Sequence, residues 1–237
     1  MIREHFEYRE TITTILADDA DHITAAKDGM MTARSQLEAY LQLDPFFGTS
    51  YAPVPADPDA PKIVRRMADA ASGANVGPMA AVAASIAWAG IEAMQQAGAV
   101  FGLIDNGGDI ALISDRDIRV GLYAGSAPVS GKYAFLIPPQ NRTLGICTSS
   151  ATVGPSVSFG TADAVVVFSE NPALADAWAT GICNVLRPET DPFAALPLTN
   201  SGISGVYAVI GDWTAEWGTV PDLIPARVSS NLITRGR

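Results

Sequence analysis

Asp176 and Thr180 stand four residues apart in a segment with a well-marked helical start, so a carboxylate and a hydroxyl fall on one side of that helix, one turn from each other. Both are oxygen ligands of the kind a hard divalent cation accepts when phosphate and water complete its shell. An acid and a threonine at this spacing also read as solvated surface or a local hydrogen bond, and the metal reading requires burial beside a second site. Two other stretches are polar without bulk. Residues 148–154, Thr-Ser-Ser-Ala-Thr-Val-Gly, have no large side chain except Val153, and Thr148, Ser149 and Ser150 could fold around a phosphate or sugar through hydroxyls and N–H groups. Asn106-Gly107-Gly108, set between apolar runs, is a strong hairpin signal and needs no further role. It also leaves glycine N–H groups unshielded between the Asp105 and Asp109 carboxylates, a second plausible nucleotide contact. Neither stretch has the glycine-lysine pattern of a P-loop or GxGxxG spacing.

The elements that must position these groups follow from periodicity and punctuation. Asn171 can cap the helix carrying Asp176, and Pro172 can take its first position. At about 100° per residue, Leu174, Trp178, Ile182 and Val185 form a face for the core, and Asp176, Thr180 and Cys183 the opposite one. Further helices are expected over 28–43, ended by Asp44-Pro45, over 62–72, and from Pro78 onward, where Met79, Val82, Ala83, Ile86 and Gly90 make an apolar stripe. The free N–H groups at residues 77–80 would favour an anion. Strands are expected as a pair within 2–26 around the acidic run 17–21, then over 99–104, 109–114, 118–123, 133–137, 144–148, 162–168, 205–210 and 222–224, with a turn at 211–213. Residues 51–61 hold four prolines and read as an internal loop, and 234–237 as a loose tail. Hairpins with helices gathered in blocks predict a single α+β domain over 1–237 on a largely antiparallel sheet.

Composition narrows the partners. With 237 residues, 48% hydrophobic and only 17% charged, the chain has ample material for a core. A net charge of −10 argues against nucleic acid and anionic membranes, although a local anion site remains open. The apolar run 79–104 is broken by Glu92, Gln95, Gln96 and glycines, which suits a buried helix and strand instead of a membrane span. The start of the chain has no secretory pattern, and Cys147 and Cys183 suit reduced core residues, so a cytoplasmic protein is expected. Both histidines, His5 and His22, lie near the N-terminus, which gives a histidine triad or multi-histidine metal site little support. No catalytic nucleophile or base is assigned, and nothing near Cys147 would clearly activate it.

Three separated segments, GPMAAVAASIA at 77–87, IDNGGDIAL at 104–112 and the series CTSSATVG, TADAVVV and ALADAWATGI from 147 to 182, together resemble the uncharacterised bacterial and archaeal family related to the ApbE-like FAD:protein FMN transferases. The resemblance implies an α+β fold with an antiparallel sheet and a flavin cleft. It implies FAD or FMN and Mg2+ as cofactors, with FMN passed to a threonine of an acceptor protein. The transferase pattern A-D-A-x-A-T matches at residues 175–180 and makes Asp176 and Thr180 the metal candidates. By the same match, Asn106, Gly107, Gly108 and Asp109, with Thr148, Ser149 and Ser150, would contact the nucleotide. The transferases carry a histidine and a D-P-x-T-G stretch after their TSG segment; here Pro155-Ser156-Val157-Ser158-Phe159-Gly160 stands instead. Two readings therefore stay open: a metal-assisted enzyme acting on a flavin nucleotide or related pyrophosphate, and a non-catalytic flavin-binding or partner protein with a remodelled cleft. Members of the related family have been associated with sulfur assimilation into homocysteine.

Overall fold

A computed structural model describes residues 1–153, 159–228 and 234. The chain opens with β1 (Ile2–Tyr8) and β2 (Thr11–Ala17), a hairpin turned at Arg9-Glu10 and not at the acidic run. That run instead starts a helix. The Asp19 carboxylate accepts the Asp21 N–H as an N-cap, and α1 (Ala20–Leu43) begins eight residues earlier than its periodicity predicts. Asp44-Pro45 ends α1, and the Asp44 side chain then caps the short α2 (Pro45–Thr49). After the proline-rich segment come α3 (Lys62–Ala74), a 3-10 turn over Pro78–Ala81, and α4 (Val82–Gln96).

The strands that follow are β3 (Gly102–Asn106), β4 (Asp109–Ser114), β5 (Ile118–Gly121), β6 (Tyr133–Ile137), β7 (Gln140–Ser149) and β8 (Ala164–Ser169). Then come α5 (Pro172–Val185), β9 (Gly205–Ile210), β10 (Trp213–Gly218) and β11 (Leu223–Pro225). Eight strands form one antiparallel sheet in the order β1-β2-β3-β4-β7-β8-β9-β10. The excursion between β4 and β7 leaves this sheet: β6 pairs with β5 on one side and β11 on the other in a separate three-stranded sheet, where simple continuation of the main sheet was expected. Trp213, expected in a turn, begins β10, whose alternating half-buried and exposed residues mark an edge strand.

Both faces of the main sheet are covered, which explains the unbroken apolar run of β8. Val165 and Val167 point to the helices, while Val166 and Phe168 point to the small sheet, where Phe135 meets Phe168 and Tyr207 edge-on. On the helical side small residues set the spacing. A Cβ on Gly90 would lie 2.5 Å from Ile104 Cδ1 and 2.9 Å from Met30 Cγ, so α4 fits against α1 and β3 only because that atom is missing. Among the described residues no single helix is long and apolar enough to cross a membrane.

Candidate functional site

The Asn-Gly-Gly-Asp turn borders a large cavity. Gly107 and Gly108 take positive φ values of 70° and 109°, the geometry of a two-residue hairpin turn, and bring β3 and β4 into register with Asn106 opposite Asp109. The turn lines a cavity of about 1370 Å³ whose walls come from the main sheet, the small sheet, α1 and the start of α4. Asn106, Gly107, Gly108 and Asp109 line it together with Thr148, Ser149 and Ser150, so all seven nucleotide-contact candidates meet in one space. The polar groups are already partly engaged. Gly108 N–H, expected to be open, donates to Asp105 Oδ1 at 2.8 Å, Thr148 N–H donates to Asp109 Oδ1 at 3.2 Å, and Ser150 Oγ accepts from the N–H groups of Thr152 and Val153. The rest of the hydroxyl-rich loop, residues 154–158 with Pro155, lies outside the described residues.

Asp176 lies behind this floor. Its helix has the predicted start, with Asn171 Oδ1 accepting the Leu174 N–H, but α5 is wedged between the sheet and helices α3 and α4, and its expected open face is closed. Asp176 and Cys183 are buried, whereas Val185, expected on the core face, is 54% exposed. The reason is that α5 is covered on two sides and not one, so a single apolar stripe cannot describe it. Asp176 Oδ2 accepts the Ala84 N–H at 3.0 Å, and the Ala83 N–H also bonds to this carboxylate. The anion expected at the start of this helix is thus supplied by the chain itself, about one turn beyond residues 77–80. Asn106 Nδ2 donates to Ala83 O at 3.0 Å from the other side, tying the hairpin to the same helical turn. Thr180 is half-buried on α5, and neither it nor Asp176 lines the cavity.

Burial and mutual repulsion govern the acids. Desolvation, then the charge of Asp109, pushes the Asp176 carboxyl well above the ordinary range. Asp109 rises to about 7, first through burial and then through the Asp105 charge, against the lowering effect of the Thr148 N–H. Asp105 is raised by burial. Cys147, buried beside them, is raised by burial and by the charges of Asp109 and Asp176, so its thiol stays protonated and inert. Among the described residues no group of three or more His, Cys, Asp or Glu side chains has metal-binding geometry.

Sequence spacing missed several groups. Arg3, Arg34, Arg119 and Arg227 all reach the cavity, from β1, α1, β5 and the segment after β11. Met79, Val82, Ala83 and Ile86, expected to face the core, line the cavity as well. Thr234, expected to begin a loose tail, is only 8% exposed: its Oγ1 lies 2.5 Å from Asp105 Oδ2, and it too lines the cavity. Residues 235–237 lie outside the described residues. Only the alternation of β1 and β5 could have placed an arginine on a given face, and nothing local could have shown that the faces converge. A shallower groove of about 590 Å³ between α1, α3 and α4 holds Lys62 and Arg66 paired with Glu92, and none of the candidates.

The fold is similar to that of the apo flavinyl transferase ApbE of Pseudomonas stutzeri, with a TM-score of 0.62, 11% identity and coverage of 92% of this chain and 94% of that one. It is also similar to a mutant of the flavin transferase ApbE from Vibrio cholerae, with a TM-score of 0.58, 14% identity and coverage of 91% and 96%. At these identities the likeness is one of fold. The sequence is 64% identical to a UPF0280 protein of Methanocorpusculum labreanum over 100% of both chains, and 56% identical to one of Methanosphaerula palustris over 100% of this chain and 99% of the other. The family described as AbpE bacteria matches residues 2–195. With its three quoted segments, its antiparallel α+β fold and its full-length relatives in agreement, the chain belongs to the UPF0280 family.

Proposed function

We propose that the protein is a metal-assisted enzyme acting in the cytoplasm on a flavin nucleotide or a related nucleotide pyrophosphate, bound in the cavity between the two sheets. The observation that carries this reading is the convergence, in a chain of net charge −10, of four arginines, the glycine hairpin and the hydroxyl-bearing end of β7 around one space of about 1370 Å³. Arg34 is held by Glu10 and Glu38, while Arg119 and Arg227 bring planar, permanently charged donors for phosphate, and the apolar wall of Leu103, Ile110, Phe135 and Val166 offers a surface for a ring system. The ApbE-like fold supports the choice of flavin.

Asp176 is buried and the charge of Asp109 raises its proton affinity further, so a divalent cation nearby would relieve that repulsion. By the match to the transferase pattern, Asp176 and Thr180 would be the ion's ligands, with water and phosphate completing its shell, which requires the Asp176 carboxylate to exchange the α4 N–H groups for the metal. Bound there, Mg2+ would neutralise charge on the pyrophosphate. Asn106 and the Thr148–Ser150 segment orient the nucleotide, and the arginines hold its phosphates. An acceptor protein is required if group transfer is the chemistry.

A second reading, a binding or partner protein without turnover, draws on the Asp176 carboxylate being already committed to the start of α4. A thermal-stability titration with FAD, FMN and ADP, each with and without Mg2+, tests the first. A ligand bound only by the native state at a hundredfold excess over its Kd adds about 2.7 kcal/mol. A Mg2+-dependent rise with FAD that is lost in Asp176→Ala, followed by AMP release, is expected. No response to any ligand would sink both readings, and binding without AMP release would leave the second.

A further inference from the structure

At the cavity rim a hydroxyl, a carboxylate and a backbone donor stand in line. Thr14 and Asp105 are cross-strand neighbours on β2 and β3, and Thr234 reaches both from the far end of the chain. Thr234 Oγ1 is 2.5 Å from Asp105 Oδ2 and 3.0 Å from Thr14 Oγ1. A hydroxyl carries one proton, and the shorter, charge-assisted contact to the carboxylate is the better place for it, with the Thr14 oxygen as the alternative acceptor. The second carboxylate oxygen, Oδ1, is fixed by the Gly108 N–H at 2.8 Å. Nucleophile, base and a group orienting the base are the three parts of an activated hydroxyl. All four residues line the cavity.

We propose that Thr234 is a self-modification site: its hydroxyl, deprotonated by Asp105, takes a nucleoside monophosphoryl group from a nucleotide pyrophosphate bound in the cavity. The inference rests on the function proposed above. In the step, a bond forms from Thr234 Oγ1 to the nearer phosphorus, and the bond from that phosphorus to the bridging oxygen breaks. The departing mononucleotide keeps the electron pair, and the hydroxyl proton passes to Asp105 Oδ2. With FAD the products are a flavin mononucleotide ester of Thr234 and AMP. No oxidant or reductant is needed. Burial of Asp105 raises its proton affinity, which suits a carboxylate to this task.

The test incubates the full chain with FAD and Mg2+ and follows intact mass, AMP release and the melting temperature. The expected result is a mass gain of one flavin mononucleotide unit with one equivalent of AMP, mapped to the C-terminal peptide. Thr234→Ser should retain the gain, Thr234→Ala should lose it while still showing the FAD-dependent melting shift, and Asp105→Asn should slow it by roughly a hundredfold or more. A gain that persists in Thr234→Ala, or AMP release from the wild type without any gain, overturns the proposal but leaves the enzyme reading intact. A melting shift with neither AMP nor gain overturns this proposal and the enzyme reading, leaving binding. Absence of a melting shift removes the functional reading and this inference together.

Discussion

The two faces of the main sheet are built from one set of strands and differ in almost everything else. Toward the helices, alanines and glycines bring α1, α4 and α5 close to the strands, and the Asp176 carboxylate buried there is spent on the first turn of α4. Toward the small sheet, larger residues meet only part of the way, and the remaining space is rimmed by arginines, acids and hydroxyls. Backbone packing is tight where positions must be fixed and relaxed where a ligand could enter. The acids show the contrast most clearly: Asp109 faces the cavity and Asp176 the helices, yet the charge of Asp109 raises the proton affinity of Asp176.

The contrast breaks first where the helical side is overfilled. Gly90→Val would drive its side chain into Ile104 and Met30 and is expected to cost about 3 kcal/mol in denaturant unfolding, through the strain of overpacking. An unchanged unfolding midpoint would mean that the α1–α4 seam is loose. Asp176→Ala removes the acceptor at the start of α4 and should cost about 1–2 kcal/mol, whereas Asp176→Asn keeps an acceptor and should lose much less. Equal losses would show that charge and not capping holds the helix.

The pH dependence is of comparable size. Asp109 moves from an ordinary 3.8 to about 7 on folding, so between these values the native state holds a proton that the unfolded chain has released. Stability therefore falls as pH rises through that window. The melting temperature at pH 8 should lie below that at pH 5.5 by about 4–8 °C, the equivalent of about 2 kcal/mol, and Asp109→Asn should flatten the difference. A melting temperature that instead climbs toward pH 8 would contradict the buried-acid account. The smallest effect expected is for Asn106→Ala, which loses one bond to the Ala83 carbonyl, about 0.5–1 kcal/mol, and loosens the hairpin against α4. Amide exchange at Gly107 and Gly108 should quicken in that variant while exchange in α5 stays the same.

What the sequence discloses is what punctuation and short spacing can carry. The Asn-Gly-Gly turn, the Asn171-Pro172 start of α5 and the Asp44-Pro45 stop of α1 each depend on a few adjacent residues, and each is where the pattern places it. The acidic run near residue 19 was ambiguous, because the aspartates that make turns also cap helices. Layering was not legible: β5 and β6 read like any other hairpin strands, and only pairing with β11, nearly ninety residues later, gives them a sheet of their own. The burial of Asp176 was hidden for the same reason, since helical spacing reports a residue's side but not what covers that side. Thr234 and Asp105 are 129 positions apart, beyond the reach of any local pattern.

The pairing of β6 with β11 also has a consequence for how the protein is made. Residues 223–225 complete the small sheet beside β6, and Ala226 and Val228, which line the cavity, then bond to the turn at residues 131–132. A chain growing from its N-terminus can pair β1 through β4 early but cannot enclose the cavity until residues 223–228 have followed. The ligand space is therefore completed after the strands of the main sheet, and a ribosome-bound chain halted before residue 223 should show a protease-resistant helical side beside an open, unprotected strand face.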